Sequence, residues 1–325
     1  MKRDVSRPGK DTRLMIPKTW HNDASACTTA LGGLCLALLT GCEPSNSVKA
    51  GPPEIVSFGA VSAADGSPVE LAAAPPMTNF LAIFDRLLDA ASLEDAKGGA
   101  KAGLVQVQSA IPTQVVPVTT NYVPNGDSQF FLKLPAGPSL TVLPVCGLPA
   151  AGSVVVSLDL TKLRSHDRST NAVPGTVDGG PPVMTSLTVM TARLSVTTDI
   201  PPPTEADPVA GTPAALGVAD PTTAFNLTFN SVMPGPAAPA ACAPLPSAAT
   251  HIHVTAEVGG AAAVPIAAVI EPDMTNPSHW TVSPPADTGA WPAGAVVTVT
   301  IDLDTTDTYG VALGTATNAS FMVKS

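Results

Sequence analysis

Beyond residue 52 the apolar positions of this chain tend to recur at every second residue, in runs rarely longer than eight. Leu104-Val-Gln-Val-Gln108 and Val296-Val-Thr-Val-Thr-Ile-Asp302 show the alternation plainly, and in a strand it puts residues i and i+2 on one face. Reading such runs between turn residues predicts strands at roughly 54–58, 78–84, 104–108, 114–119, 128–134, 153–160 and 187–196. A second set falls at roughly 211–217, 223–229, 250–256, 263–270, 278–282, 295–303 and 319–324. Seven short strands per half, separated by turns, is the pattern of an immunoglobulin-like β-sandwich. The fold class expected is therefore all-β, as two tandem sandwiches.

The halves also resemble each other. Phe80-Leu-Ala-Ile-Phe84 has a counterpart in Phe225-Asn-Leu-Thr-Phe229, with Phe at each end. Leu148-Pro-Ala-Ala-Gly-Ser-Val-Val-Val-Ser-Leu-Asp-Leu160 answers Trp291-Pro-Ala-Gly-Ala-Val-Val-Thr-Val-Thr-Ile-Asp-Leu303. Two matches in the same order at nearly one offset point to a duplication. Between the halves, Asp199-Ile-Pro-Pro-Pro-Thr-Glu-Ala-Asp207 carries three successive prolines, which stiffen a linker toward polyproline II.

Composition sharpens the class. The chain is 45% hydrophobic but only 4% aromatic, and its 35 prolines among 325 residues argue against long helices. A different pattern precedes the strands: a basic segment, then the apolar run Ala30–Leu39, then Leu39-Thr40-Gly41-Cys42 and a polar, Pro-containing stretch. The run is shorter than the ~20 residues of a membrane span and lies where a signal h-region would. This arrangement resembles the lipobox of bacterial lipoproteins, in which the Cys is lipidated and the peptide before it removed. The resemblance implies a signal peptide at 1–41 starting at Met1 or Met15, a lipidated Cys42 and a tether at 42–52. The strand pattern and the proline break then place the sandwiches at 53–198 and 208–325, with the Pro-rich linker 199–207 between them. Palmitate-type acylation would tie the chain to a membrane. Glu43, where inner-membrane retention favours Asp, implies the outer membrane or cell surface.

The first 41 residues hold six of the 16 basic and three of the 26 acidic groups, leaving 10 and 23, a net charge of −13. Such a surface repels nucleic acid, and no nucleic-acid partner is expected. The chain further resembles the SbsA-type Ig-like domains of bacterial surface and S-layer-associated proteins. Pro52-Pro-Glu-Ile-Val-Ser-Phe58, Phe84-Asp-Arg-Leu-Leu-Asp89-Ala-Ala-Ser92 and the Pro-Ala-Gly turn before the penultimate strand of each half carry that likeness. It implies a structural or adhesive, protein-binding role and no activity.

Candidate chemistry is sparse. No Gly-x-Ser-x-Gly elbow, His-Glu-x-x-His helix or phosphate-cradling Gly-rich loop occurs, so no catalytic residue is assigned and an enzyme is not expected. His251 and His253 would share one face of a strand and suit zinc or copper. Asp302, Asp304 and Asp307 could hold calcium at a strand end. Trp280, Trp291 and Tyr309 are the candidates for an aromatic platform that would bind a glycan or other ligand. With Cys27 and Cys35 in the signal and Cys42 lipidated, Cys146 and Cys242 remain. An Ig topology puts Cys146 between strands E and F of the first sandwich and Cys242 between strands B and C of the second, so the expected bridge joins the two sandwiches.

Overall fold

The computed structural model describes residues 51–93, 101–110, 113–124, 137–176, 183–203 and 215–325. Cys42 and the strand expected at 128–134 lie outside the described residues. Two β-sandwiches, one after the other, account for the described chain, and both belong to one compact unit.

The first sandwich begins with β1 (Glu54–Ser62) and β2 (Thr78–Phe84), then β3 (Val105–Ala110), β4 (Thr113–Val115), β5 (Val118–Val123) and β6 (Ser139–Pro144). It ends with β7 (Ser153–Leu158), the two-residue β8 (Val173–Pro174) and β9 (Ser186–Met190). One sheet runs β5-β6-β2-β1-β8 and the facing sheet runs β4-β3-β7-β9. β1, β2, β6 and β5 occupy the A, B, E and D positions of an Ig sandwich, and β4, β3, β7 and β9 the C′, C, F and G positions. Phe80, Phe84, Leu140, Val142, Val154 and Val156 fill the space between the sheets and are fully buried. Burying each such side chain contributes about 1.5–3 kcal/mol. β2 is covered on both faces, because Leu81 and Ile83 pack with Val61 on the outer side.

The second sandwich comprises β10 (Val196–Thr198), β11 (Gly217–Ala219), β12 (Phe225–Phe229), β13 (Ile252–Val258) and β14 (Val264–Pro265). β15 (Val269–Asp273), β16 (Asn276–Ser283), β17 (Ala295–Ile301) and β18 (Thr317–Val323) complete it. Its sheets are β10-β12-β16-β15 and β11-β18-β17-β13-β14, with β11 parallel to β18. The order is again that of an Ig sandwich, A-B-E-D facing A′-G-F-C-C′. Strict alternation of buried and less buried positions along β17 follows from its Val/Thr alternation. Phe225, Phe321 and Trp291 form the aromatic centre, with ring centroids 4.5 Å apart for the two phenylalanines and 5.8 Å for Trp291 and Phe321.

The repeated sequence stretches occupy equivalent places. β2 and β12 are both strand B, while β7 and β17 are both strand F. β6 lies where the alternation predicts no strand, and three expected strands are divided. The run 114–119 breaks at Pro117 into β4 and β5, which pair in different sheets. Residues 263–270 divide between β14 and β15, again in different sheets. The run 187–196 divides as well: β9 closes the first sandwich, but Val196–Thr198 pairs with β12 of the second. The second sandwich therefore takes up the chain before the three prolines, and Pro201–Pro203 lie between its first two strands.

Candidate functional site

Two clusters of side chains stand out, both at the end of the second sandwich that faces the first. The larger is the joint between the sandwiches. From the first sandwich comes the β6–β7 loop, residues 145–152. It turns at Gly147, whose φ of +67° is a left-handed conformation that suits glycine, and a Cβ there would meet the Pro76 carbonyl oxygen at 3.2 Å. Thr191 pins this loop by accepting from the Gly152 N–H at 2.7 Å and donating to the Pro149 carbonyl at 2.6 Å.

From the second sandwich comes a narrow loop between β17 and β18. Its sides are laced by Leu313 N–H to Thr305 O at 2.8 Å and Gly314 N–H to Leu303 O at 2.9 Å. At its tip Asp307 is fully buried. One carboxylate oxygen accepts the Tyr309 and Val311 N–H groups, each at 2.9 Å, and shapes the tip itself. The other accepts the Ala150 N–H of the first sandwich at 3.0 Å. Burial pushes the Asp307 carboxyl above its usual range, and the three N–H donors oppose that shift without cancelling it.

Neighbouring groups complete the joint. Thr308 donates its hydroxyl to the Cys146 carbonyl at 3.3 Å and Tyr309 donates to the Gly147 carbonyl at 2.9 Å. Burial, with the Asp307 charge beside it, raises the Tyr309 phenol well above its ordinary value, so it stays a donor. The apolar contacts interlock too: Ala150 packs into the core of the second sandwich and Tyr309 against the core of the first. Cys146 and Cys242 are joined by a disulfide across the same joint, with Cα atoms 5.6 Å apart.

The second cluster lies at the root of that loop. His251 Nδ1 is 3.2 Å from Asp304 Oδ1 and His253 Nε2 is 2.9 Å from Asp302 Oδ2. Ligand atoms of His251, Asp302 and Asp304 all fall within 4.8 Å of one another. The strand ladder fixes them: His253 is in register with Thr300, and the Asp302 N–H donates to the His251 carbonyl at 2.9 Å.

The structure thus rearranges the residues singled out from sequence. The histidine pair and two of the three aspartates, separate zinc and calcium candidates in the sequence, come together. Asp307 is not with them. Its carboxylate is spent on backbone N–H groups inside the joint, so a calcium site of Asp302, Asp304 and Asp307 is not formed. The aromatic platform is also overturned. Trp280 and Trp291 are 1% and 2% exposed, and the Tyr309 hydroxyl is committed to Gly147. Trp291 contributes only an edge to a shallow cleft of about 520 Å³, which Pro265, Ile266, Asp287 and Thr288 also line. In a chain this poor in aromatic residues, the large rings are what the core needs. Sequence reasoning missed Ala150, Thr308 and the role of Asp307. The Asp307-Thr308-Tyr309 turn was the available signal, since Asp shapes such turns with its own side chain.

No family model and no curated protein matches the chain. Among solved structures it is similar to the N-terminal part of the bacterial S-layer protein SbsC, at 9% identity and a TM-score of 0.21, over 84% of this chain and 44% of that one. It is similar also to the C-terminal domain of the Streptococcus agalactiae AgI/II polypeptide BspA, at 10% identity and a TM-score of 0.19, over 84% of this chain and 100% of that one. The chain spans less than half the length of the SbsC structure. The sandwich topology described above stands on its own strand pairing.

Proposed function

We propose that this protein is a non-enzymatic lipoprotein of the bacterial cell envelope that holds two Ig-like modules at a fixed angle for structural or adhesive contact with another protein. The joint carries this reading. A disulfide, a buried carboxylate and interlocked cores spend many residues on keeping two sandwiches in one relative orientation, a use that serves a load-bearing or presenting role and not a reaction. The disulfide suits an oxidising, exported setting. The apolar run ending in Leu39-Thr40-Gly41-Cys42 and the polar stretch after it support anchoring, and acylation at more than one position would make that anchor stable. Burial of Trp280 and Trp291 weighs against the glycan-binding alternative.

The test is fractionation of the full chain in a Gram-negative host, with antibody to the second sandwich. Wild type is expected in the membrane fraction and Cys42→Ser in the soluble exported fraction, with the disulfide formed in both. A Cys42→Ser chain that still partitions with membranes would remove the anchoring half of the proposal. Free thiols at Cys146 and Cys242 in exported protein would remove the other half.

A further inference from the structure

We infer that His251, Asp302 and Asp304, with His253 beside them, form a zinc site that braces the root of the loop whose tip clasps the first sandwich. Three potential donors, one imidazole nitrogen and two carboxylates, lie within 4.8 Å of one another, and His253 approaches through Asp302. The separations of 3.2 Å for His251–Asp304 and 2.9 Å for His253–Asp302 are close to the ~3.3 Å edge of a tetrahedron with zinc-to-ligand bonds near 2.0 Å. Nitrogen donors select a borderline ion such as zinc over calcium, which takes oxygen ligands in greater number.

Charge points the same way. Among the described residues the ion pairs of Asp302 and Asp304 are with histidines, and no Lys or Arg pairs with either. A bound dication would neutralise both carboxylates while the imidazoles ligate in their neutral form. The donors are held at the ends of paired strands: His251 immediately precedes β13, His253 is its second residue, and Asp302 directly follows β17, which pairs with β13. Thr305 Oγ donates to the Asp302 carbonyl at 2.8 Å, tying the ligand to the loop that follows. Asp307 lies three residues beyond Asp304 in sequence from Asp304 on that loop, so fixing its root fixes the direction in which its tip meets Ala150. The two histidines and the two aspartates are some fifty residues apart, 53 for His251 and Asp304. The unfolded chain therefore lacks the site, and zinc bound here stabilises the fold.

The experiment is equilibrium dialysis of the oxidised, chelator-stripped mature chain against zinc, with metal analysis and thermal unfolding on the same samples. One zinc per chain and a higher unfolding midpoint with zinc are expected. His251→Ala and Asp302→Asn should each weaken binding at least tenfold, while Asp287→Asn, an exposed acid elsewhere on the sandwich, should not. Unfolding midpoints without metal show that the variants fold. Zinc retained equally by His251→Ala would overturn the site, and so would wild type that binds none. Displacement of the zinc by millimolar calcium would overturn the assignment of nitrogen donors.

Discussion

Asp307 is the residue on which the contact between the sandwiches turns. Replacing it with Asn keeps an oxygen for Tyr309 and Val311 but sets an amide NH₂ against the Ala150 N–H, donor facing donor. Asp307→Asn should therefore cost about 1–3 kcal/mol at neutral pH, read by chemical denaturation. Its acid response separates this role from an ordinary surface charge. Because burial holds the folded carboxyl above 3.8, the folded chain binds this proton more tightly than the unfolded one. Folding thus favours the protonated carboxyl over the ionised one, and the stability linked to this group rises as pH falls through the folded value toward 3.8. The stability of wild type relative to Asp307→Asn should rise over that interval, and a fall would contradict the assignment. Asp167 behaves in the opposite sense: the Ser165 hydroxyl and the Ser169 N–H and hydroxyl hold it down to about 2. Stability linked to Asp167 is present above the usual carboxylate range and is lost as pH falls toward 2. Beyond the turn that Asp307-Thr308-Tyr309 announces, none of this is legible in the sequence. Asp302, Asp304 and Asp307 are alike as letters, and only the ladder and the loop decide that two face solvent beside histidines and one is sealed away.

Strands were legible wherever alternation was clean. β2, β3, β7, β12 and β17 stand close to where the pattern of Val, Thr and Phe places them. Two of the failures share a physical cause in proline. Pro117 removes a backbone donor and divides one apolar run between two sheets, and Pro138 before β6 with Pro144 at its end hides a strand that pairs along its whole length with β5 and over Ser139–Val142 with β2. β10 was assigned to the wrong sandwich because three residues of Val and Thr carry no information about which partner they pair with. Strand β16 offers a test of packing at this scale. Its Trp280 lies over Gly235, where an added Cβ would sit 2.9 Å from the ring carbon Cη2. The indole is 1% exposed and has no room to retreat. Gly235→Ala should destabilise the second sandwich by about 1–3 kcal/mol, measured by tryptophan fluorescence during denaturation, and an unperturbed midpoint would mean the ring moves freely.

At the scale of the whole molecule, the duplication and the pairing of Cys146 with Cys242 could be reached from sequence, the latter because three of the five cysteines, Cys27, Cys35 and Cys42, precede the region of strand-like alternation. The interlocking of the cores could not, since Ala150 and Tyr309 each pack with the other sandwich and nothing in their own neighbourhood announces it. Joining residues 96 apart removes about 4–5 kcal/mol of chain entropy from the unfolded state. The Cys146→Ser, Cys242→Ser double variant should lose stability of that order in non-reducing denaturation, while retaining the Asp307 contact. The bridge also governs how the protein carries tension. A pull applied between the first strands and the last passes from Cys146 to Cys242 through the sulfur atoms. It bypasses the 95 residues between them, and with them β7 through β12. Those strands include F and G of one sandwich and A and B of the other, so each module keeps part of its framework off the line of force. When stretched, the oxidised protein is shorter by roughly 310–340 Å of extensible chain than the reduced one. A protein with that property has a fixed limit to its extension, set by two cysteines and not by how firmly its sheets hold.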